Sequence, residues 1–178
     1  MSKREALREL QSRLAQRLQA SKDEAATATW LAVEASGRGF LLPLAEAGEI
    51  FTGRLSCLHV PHTAAWFLGV ANLRGHLHSV VDLAAFVGLR TDGVSLEALG
   101  REQSSLVAFN PSLELNCALL VDRLAGLRGR ENLVAQPRDA AGLPGFVLGV
   151  WRDAQGRSWH EIGLAALAGS EAFLKIVD

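Results

Sequence analysis

GVANLRGHLHSVVDL, residues 69–83, is the stretch that decides how the rest of the chain is read. It gives one strand over Trp66 to Leu73, a break at Asn72-Leu73-Arg74-Gly75, and a second strand over Leu77 to Val81 that ends at Asp82. Asparagine first and glycine fourth is the composition of a type I turn. The asparagine side chain can bond backbone two residues on, and glycine tolerates the exit geometry. Arg74 in such a turn projects beyond the strands, offering a planar fork of donors suited to carboxylates. After the hairpin, the Asp82 carboxylate can cap a helix made by LAAFVGL, with Gly88 as its terminator.

Outward from the hairpin, short strands predominate. TWLAVEAS, a turn at Ser36-Gly37-Arg38-Gly39 and FLLPL form a first hairpin, with Pro43 placing its second strand at an edge or a bulge. A strand is expected over Phe51 to Leu58. Thr91 to Gln103 is polar and Gly-punctuated, as a linker is. SLVAFNP, LELNCALLVD and RLAGLRG follow as strands, then a loop from Pro137 to Pro144, then GFVLGVW and RSWHEI. IGLAALAG and SEAFLKIV close the chain as helices, with Ser170 as N-cap. Many short strands with few helices point to small barrels or a sandwich. Before all of this, Leu7, Leu10, Leu14 and Leu18 recur at helical spacing and share one helix face, to pack on the main domain or on a neighbour.

Composition excludes several classes of function. The chain has 178 residues, 49% apolar and 21% charged, the balance of a globular protein. Its net charge of -1 gives no basic excess for nucleic acid. No apolar run approaches the roughly 20 residues that span a bilayer, and the charged N-terminus does not read as a secretory signal. Cys57 and Cys117 lack metal spacing and read as buried free thiols of a reducing cytoplasm. No phosphate-binding glycine loop and no serine nucleophile elbow occurs. His76 and His78 lie on one side of a strand and could share a metal, with His59, His62, His160 or Asp82 as third ligand; a small metal-dependent hydrolase is the alternative reading. Against it, two histidines are also what the solvent face of an edge strand carries. Glu34, Glu46 and Glu49 lie close in sequence, but glycosidase acids need a cleft. The four tryptophans read as core.

GVANLRG, followed by an apolar strand ending VDL and a short helix, resembles the CheW-like domain of chemotaxis coupling proteins. FLLPLAEAGEI, HVPHTAAWFLGVANLRG and NCALLVDRLAGLRGRENLVAQP are similar to that family's runs in the same order, and the likeness extends from about Trp30 to Leu167. The resemblance implies an all-β fold of two small five-stranded β-barrels (SH3-like) packed together, with an extra N-terminal helix and short C-terminal helices. The expected division is a helical extension over 1–28, the domain over 29–169 in approximate halves 29–90 and 104–169, and a C-terminal helix over 170–178. It implies a non-catalytic, cofactor-free and metal-free cytoplasmic adaptor, recruited to membrane-associated arrays without inserting in the membrane. Its partners would be the cytoplasmic tip of a methyl-accepting receptor and a CheA-type histidine kinase. Carried over by motif, Arg74 and Glu49 are the coupling positions, expected to lie close together. Asn72, Leu73 and Gly75 would form the turn presenting Arg74, and Ile50 accompanies Glu49. The sequence departs from the family pattern at Ala47-Gly48, Cys117-Ala118, Trp159-His160-Glu161 and the loop Arg138-Asp139-Ala140-Ala141. With the extra helix, it looks like a specialised paralogue of the PilI type that serves type IV pilus twitching motility.

Overall fold

The computed structural model describes residues 3–27, 29–101, 104–137 and 142–177; the loop at 138–141 lies outside them. A long helix, α1 (Lys3–Thr27), precedes eleven strands among the described residues. These are β1 (Trp30–Ala35), β2 (Arg38–Pro43), β3 (Ala47–Gly53), β4 (Phe67–Leu73), β5 (His76–Asp82), β6 (Ser104–Phe109), β7 (Cys117–Val121), β8 (Arg123–Arg128), β9 (Leu133–Gln136), β10 (Val147–Asp153) and β11 (Ser158–Ile162). Short helices α2 (Leu83–Phe86) and α3 (Leu96–Arg101) lie between β5 and β6, and α4 (Leu164–Ala168) and α5 (Glu171–Leu174) close the chain.

The strands form two sheets. One has the order β8-β1-β2-β11-β10-β9, the other β3-β6-β7-β5-β4. Neighbours are antiparallel except β2 with β11 and β5 with β7. The two-unit all-β fold therefore stands. One sheet has six strands because LVAQ forms β9 on β10, an element too short to show a period in the sequence.

Alternation along the strands divides the core in three. Leu31, Val33 and Leu42 of the first sheet meet Val81, Val107 and Leu119 of the second in a shared layer. Leu73, Val80, Leu106 and Leu120 fill the other face of the five-stranded sheet. Trp30, Leu41 and Trp159 fill the other face of the six-stranded one. β7 is buried at every residue because both of its faces meet core, which is why CALLV is an unbroken apolar run. The five-stranded sheet also curls. β3 and β4 are its opposite edges, yet Arg74 at the end of β4 reaches Glu49 on β3.

Each sheet takes strands from both sides of residues 91–103. Several expectations are corrected. β2 is an interior strand. Pro43 is tolerated there because β11 pairs only with Gly39 to Leu41 and stops short of it. The strand expected over Phe51 to Leu58 instead starts at Ala47 and ends at Gly53. The linker holds α3, whose Leu99 is buried. LELNCALLVD is a strand only from Cys117, after a turn in which Glu114 is left-handed. SEAFLKIV is helical only to Leu174, and Val177 then bridges to Thr63. Ser170 is the N-cap residue, but its side chain makes no capping bond. The leucine face of α1 is open to solvent, not packed on the domain.

Candidate functional site

The β4–β5 hairpin is tighter than the sequence reading had it. Leu73 pairs with His76, leaving Arg74 and Gly75 as a two-residue loop with φ of +51° and +90°. Positive φ at both positions is the mark of a type I′ hairpin, whose twist matches that of the strands, and not of the expected type I turn. Asn72 fixes it, its Oδ1 accepting from the Gly75 amide at 2.8 Å. Leu73 is buried beneath the turn, so it anchors the hairpin and leaves Arg74 to face outward.

Arg74 is 73% exposed and forms an ion pair with Glu49, which is 45% exposed. Its guanidinium also lies over the Phe51 ring, 5.7 Å from the centroid. Glu49 and Phe51 share a face of β3 by the two-residue period of a strand. Ile50, 38% exposed, points from the opposite face. The β3–β6 register shifts between Ala47 and Ile50. Gly48 makes this bulge possible, because a Cβ there would sit 2.6 Å from the Phe109 carbonyl oxygen. Arg74 and Phe51 separate two open hollows. One, of about 450 Å³, extends over Thr52, Arg54 and Asn72. The other, of about 340 Å³, extends over His78, Pro111 and Asn116. Sequence reasoning placed Arg74 and Glu49 together but missed Phe51, whose contact with Arg74 joins opposite edges of the sheet.

The other candidate groups have separate duties. Glu34 accepts from Arg123 at 2.9 and 2.6 Å and from Arg157, tying β1 to β8 and to the turn before β11. The Arg123 bonds hold its carboxyl below the usual carboxylate range. Glu46 accepts from the Leu164 and Ala165 amides at 2.6 and 3.1 Å, capping α4 from a distant segment. Asp82, buried in the core, accepts from the Ala85 amide as expected and from the Val94 amide, with Arg90 3.5 Å away. Glu34, Glu46 and Glu49 thus form no acid pair.

His76 is exposed and His78 half-buried beside Phe51. Their strand, β5, is interior to its sheet and not an edge, although β7 pairs with it only from Ser79 onward. Among the described residues, no three His, Cys, Asp or Glu side chains come together as a metal's ligand set. Burial pushes the Cys57 thiol up to about 11 and the Cys117 thiol to about 12, so neither is a ready thiolate. Among the described residues, no helix is long and apolar enough to cross a membrane.

The sequence profile of the CheW-like domain matches residues 29–172. The chain belongs to the CheW-like family of chemotaxis adaptors. Among individual relatives, it is 29% identical over 170 residues to protein PilI of Pseudomonas aeruginosa, covering 92% of this chain and 88% of that protein. Its fold is similar to the crystal structure of the scaffolding protein TtCheW from Thermoanaerobacter tengcongensis. The TM-score is 0.59 at 19% identity, over 76% of this chain and 88% of the other.

Proposed function

We propose that this chain is a non-catalytic adaptor that couples the cytoplasmic tip of a methyl-accepting receptor to a CheA-type histidine kinase in a pilus-controlling chemosensory array. The observation that carries the reading is the Arg74–Glu49 pair, exposed on a hairpin whose other residues are occupied in building it. Asn72 and Gly75 shape the turn, Leu73 anchors it, and Ile50 extends the surface on the far face of β3. A receptor tip is a helical hairpin, for which a charged register-setter beside apolar anchors is suited. Exposed as it is, the pair contributes under about 1 kcal/mol to stability. Desolvated under a partner, truncation of one member costs on the order of 2–5 kcal/mol.

The test is reconstitution of the receptor, kinase and adaptor complex with Glu49→Arg, with Arg74→Glu and with both. Each single exchange is expected to lose complex formation, and the double exchange to recover part of it if the pair acts as a unit. Full binding by both single variants would contradict the assignment.

A further inference from the structure

The face of the six-stranded sheet that turns toward α2 carries a cleft of its own. Alternation sets Arg38 and Phe40 of β2 and Ser158, His160 and Ile162 of β11 on one side of that sheet. The end of α2 and residues 143–147 stand opposite, and an apolar hole of about 220 Å³ lies between. Phe40, Phe86 and Phe146 line it, the last two with ring centroids 5.5 Å apart. An open hollow of about 550 Å³, over the Ser36-Gly37 turn and Ser158, continues from the hole, and Arg38 and His160 line both. None of these residues takes part in the Arg74–Glu49 site.

Charge and size select the occupant. Among the described residues, no acidic side chain lines the hole or the hollow. Arg157 is taken up by Glu34 and by the Gly37 carbonyl oxygen, but Arg38 is exposed and has no ion-pair partner among the described residues. Burial first, and then the Arg38 cation, keeps His160 below the ordinary histidine pKa, so near neutral pH the free charge of the cleft is that of Arg38. The complementary chemistry is a carboxylate beside an aromatic group. The hole is smaller than the roughly 300–1,000 Å³ of small-molecule pockets, which suits a single side chain, and the open hollow leaves room for the backbone that carries it. His160 lies in Trp159-His160-Glu161, where the sequence departs from the family pattern, so the polar wall of the cleft is one of this chain's own features. We propose that the cleft between β2–β11 and α2 binds an acidic peptide segment of a partner protein, with one aromatic side chain in the phenylalanine-lined hole and the neighbouring carboxylate on Arg38.

The test titrates the isotope-labelled full chain by NMR with the blocked peptide Gly-Ser-Phe-Glu-Ser-Gly. Its counterparts carry lysine for the glutamate or alanine for the phenylalanine, and 3-phenylpropionate serves as a small aromatic acid. Shifts are expected at the amides of β2, β11 and residues 86–89, with the Phe-Glu peptide bound at least about tenfold tighter than the other three ligands. Arg38→Glu, an exposed change at the start of β2, should reverse the preference between the glutamate and lysine peptides. Arg74→Ala should leave every affinity unchanged. Equal affinity for the glutamate and lysine peptides, or shifts that avoid the cleft, would overturn the proposal. So would 3-phenylpropionate bound as tightly as the peptide, which would give the cleft to a small acid. A dimer in sedimentation that Arg38→Glu abolishes would give it to a second copy and overturn the proposal as well.

Discussion

Arg74 holds a left-handed backbone conformation that β-carbon sterics disfavour by roughly 1–2 kcal/mol. The hairpin accepts that conformation because Gly75 and the Asn72 bond fix the loop around it. Replacing Arg74 by glycine relieves the strain but widens the unfolded ensemble, two effects of similar size and opposite sign. The melting temperature of Arg74→Gly is therefore expected to match that of the parent chain, as scanning calorimetry would read it. Gly75→Ala meets no neighbour but must hold a φ of +90°, and should cost about 1 kcal/mol. Gly69→Ala is far worse. Its Cβ would lie 2.1 Å from the Leu58 carbonyl oxygen at a φ of +129°, at the shift in register between β4 and β5. A loss of more than about 3 kcal/mol in denaturant unfolding is expected. A soluble Gly69→Ala variant of parent stability would contradict the close approach of the two backbones.

Short helices depend on their ends, and α4 has its N-terminal amides satisfied by Glu46, more than a hundred residues earlier. Glu46→Ala should cost about 1 kcal/mol, read as a fall of about 2–4 °C in melting temperature for a chain of this size. In β11, His160 has a buried Nδ1 without a hydrogen-bond partner. Burial first, and then the Arg38 cation, holds its pKa below the ordinary histidine value. The unfolded chain therefore takes up this proton first as pH falls, so stability drops below the ordinary histidine range of about 6.5. His160→Phe should flatten the decline in melting temperature between pH 7 and 5; an unchanged slope would assign the decline elsewhere. Elements with local signals were legible in the sequence: the β4–β5 hairpin, the Asp82 cap and the Gly88 stop, where the glycine has a φ of +75°. Elements decided by distant partners were not. The β3 bulge depends on β6, β9 has no identity apart from β10, and α3 is fixed by burying Leu99. The site was legible to the extent that a motif carries it. Arg74 and Glu49 could be paired in advance, but the Phe51 contact follows from how the sheet curls.

Over the whole molecule, the chain weaves between the sheets. β1 and β2 enter the first sheet, β3 to β7 build the second, and β8 to β11 return to the first. Neither sequence half contains a complete sheet, so residues 1–95 and 96–178 expressed apart should lack cooperative unfolding. A sharp transition in either fragment would contradict a core shared in this way. The weave also explains how an exposed arginine is held in place, since the hairpin tip closes a sheet whose other strands are locked into the common layer. The adaptor reading requires that Arg74 be expendable for folding and indispensable for assembly. The most direct measurement is Arg74→Ala in paired form, with a thermal melt beside a pull-down of receptor tip and kinase. The account predicts a melting temperature within about 2 °C of the parent, since an exposed pair contributes little, and no captured complex. A variant that unfolds, or one that captures both partners as the parent chain does, would contradict it.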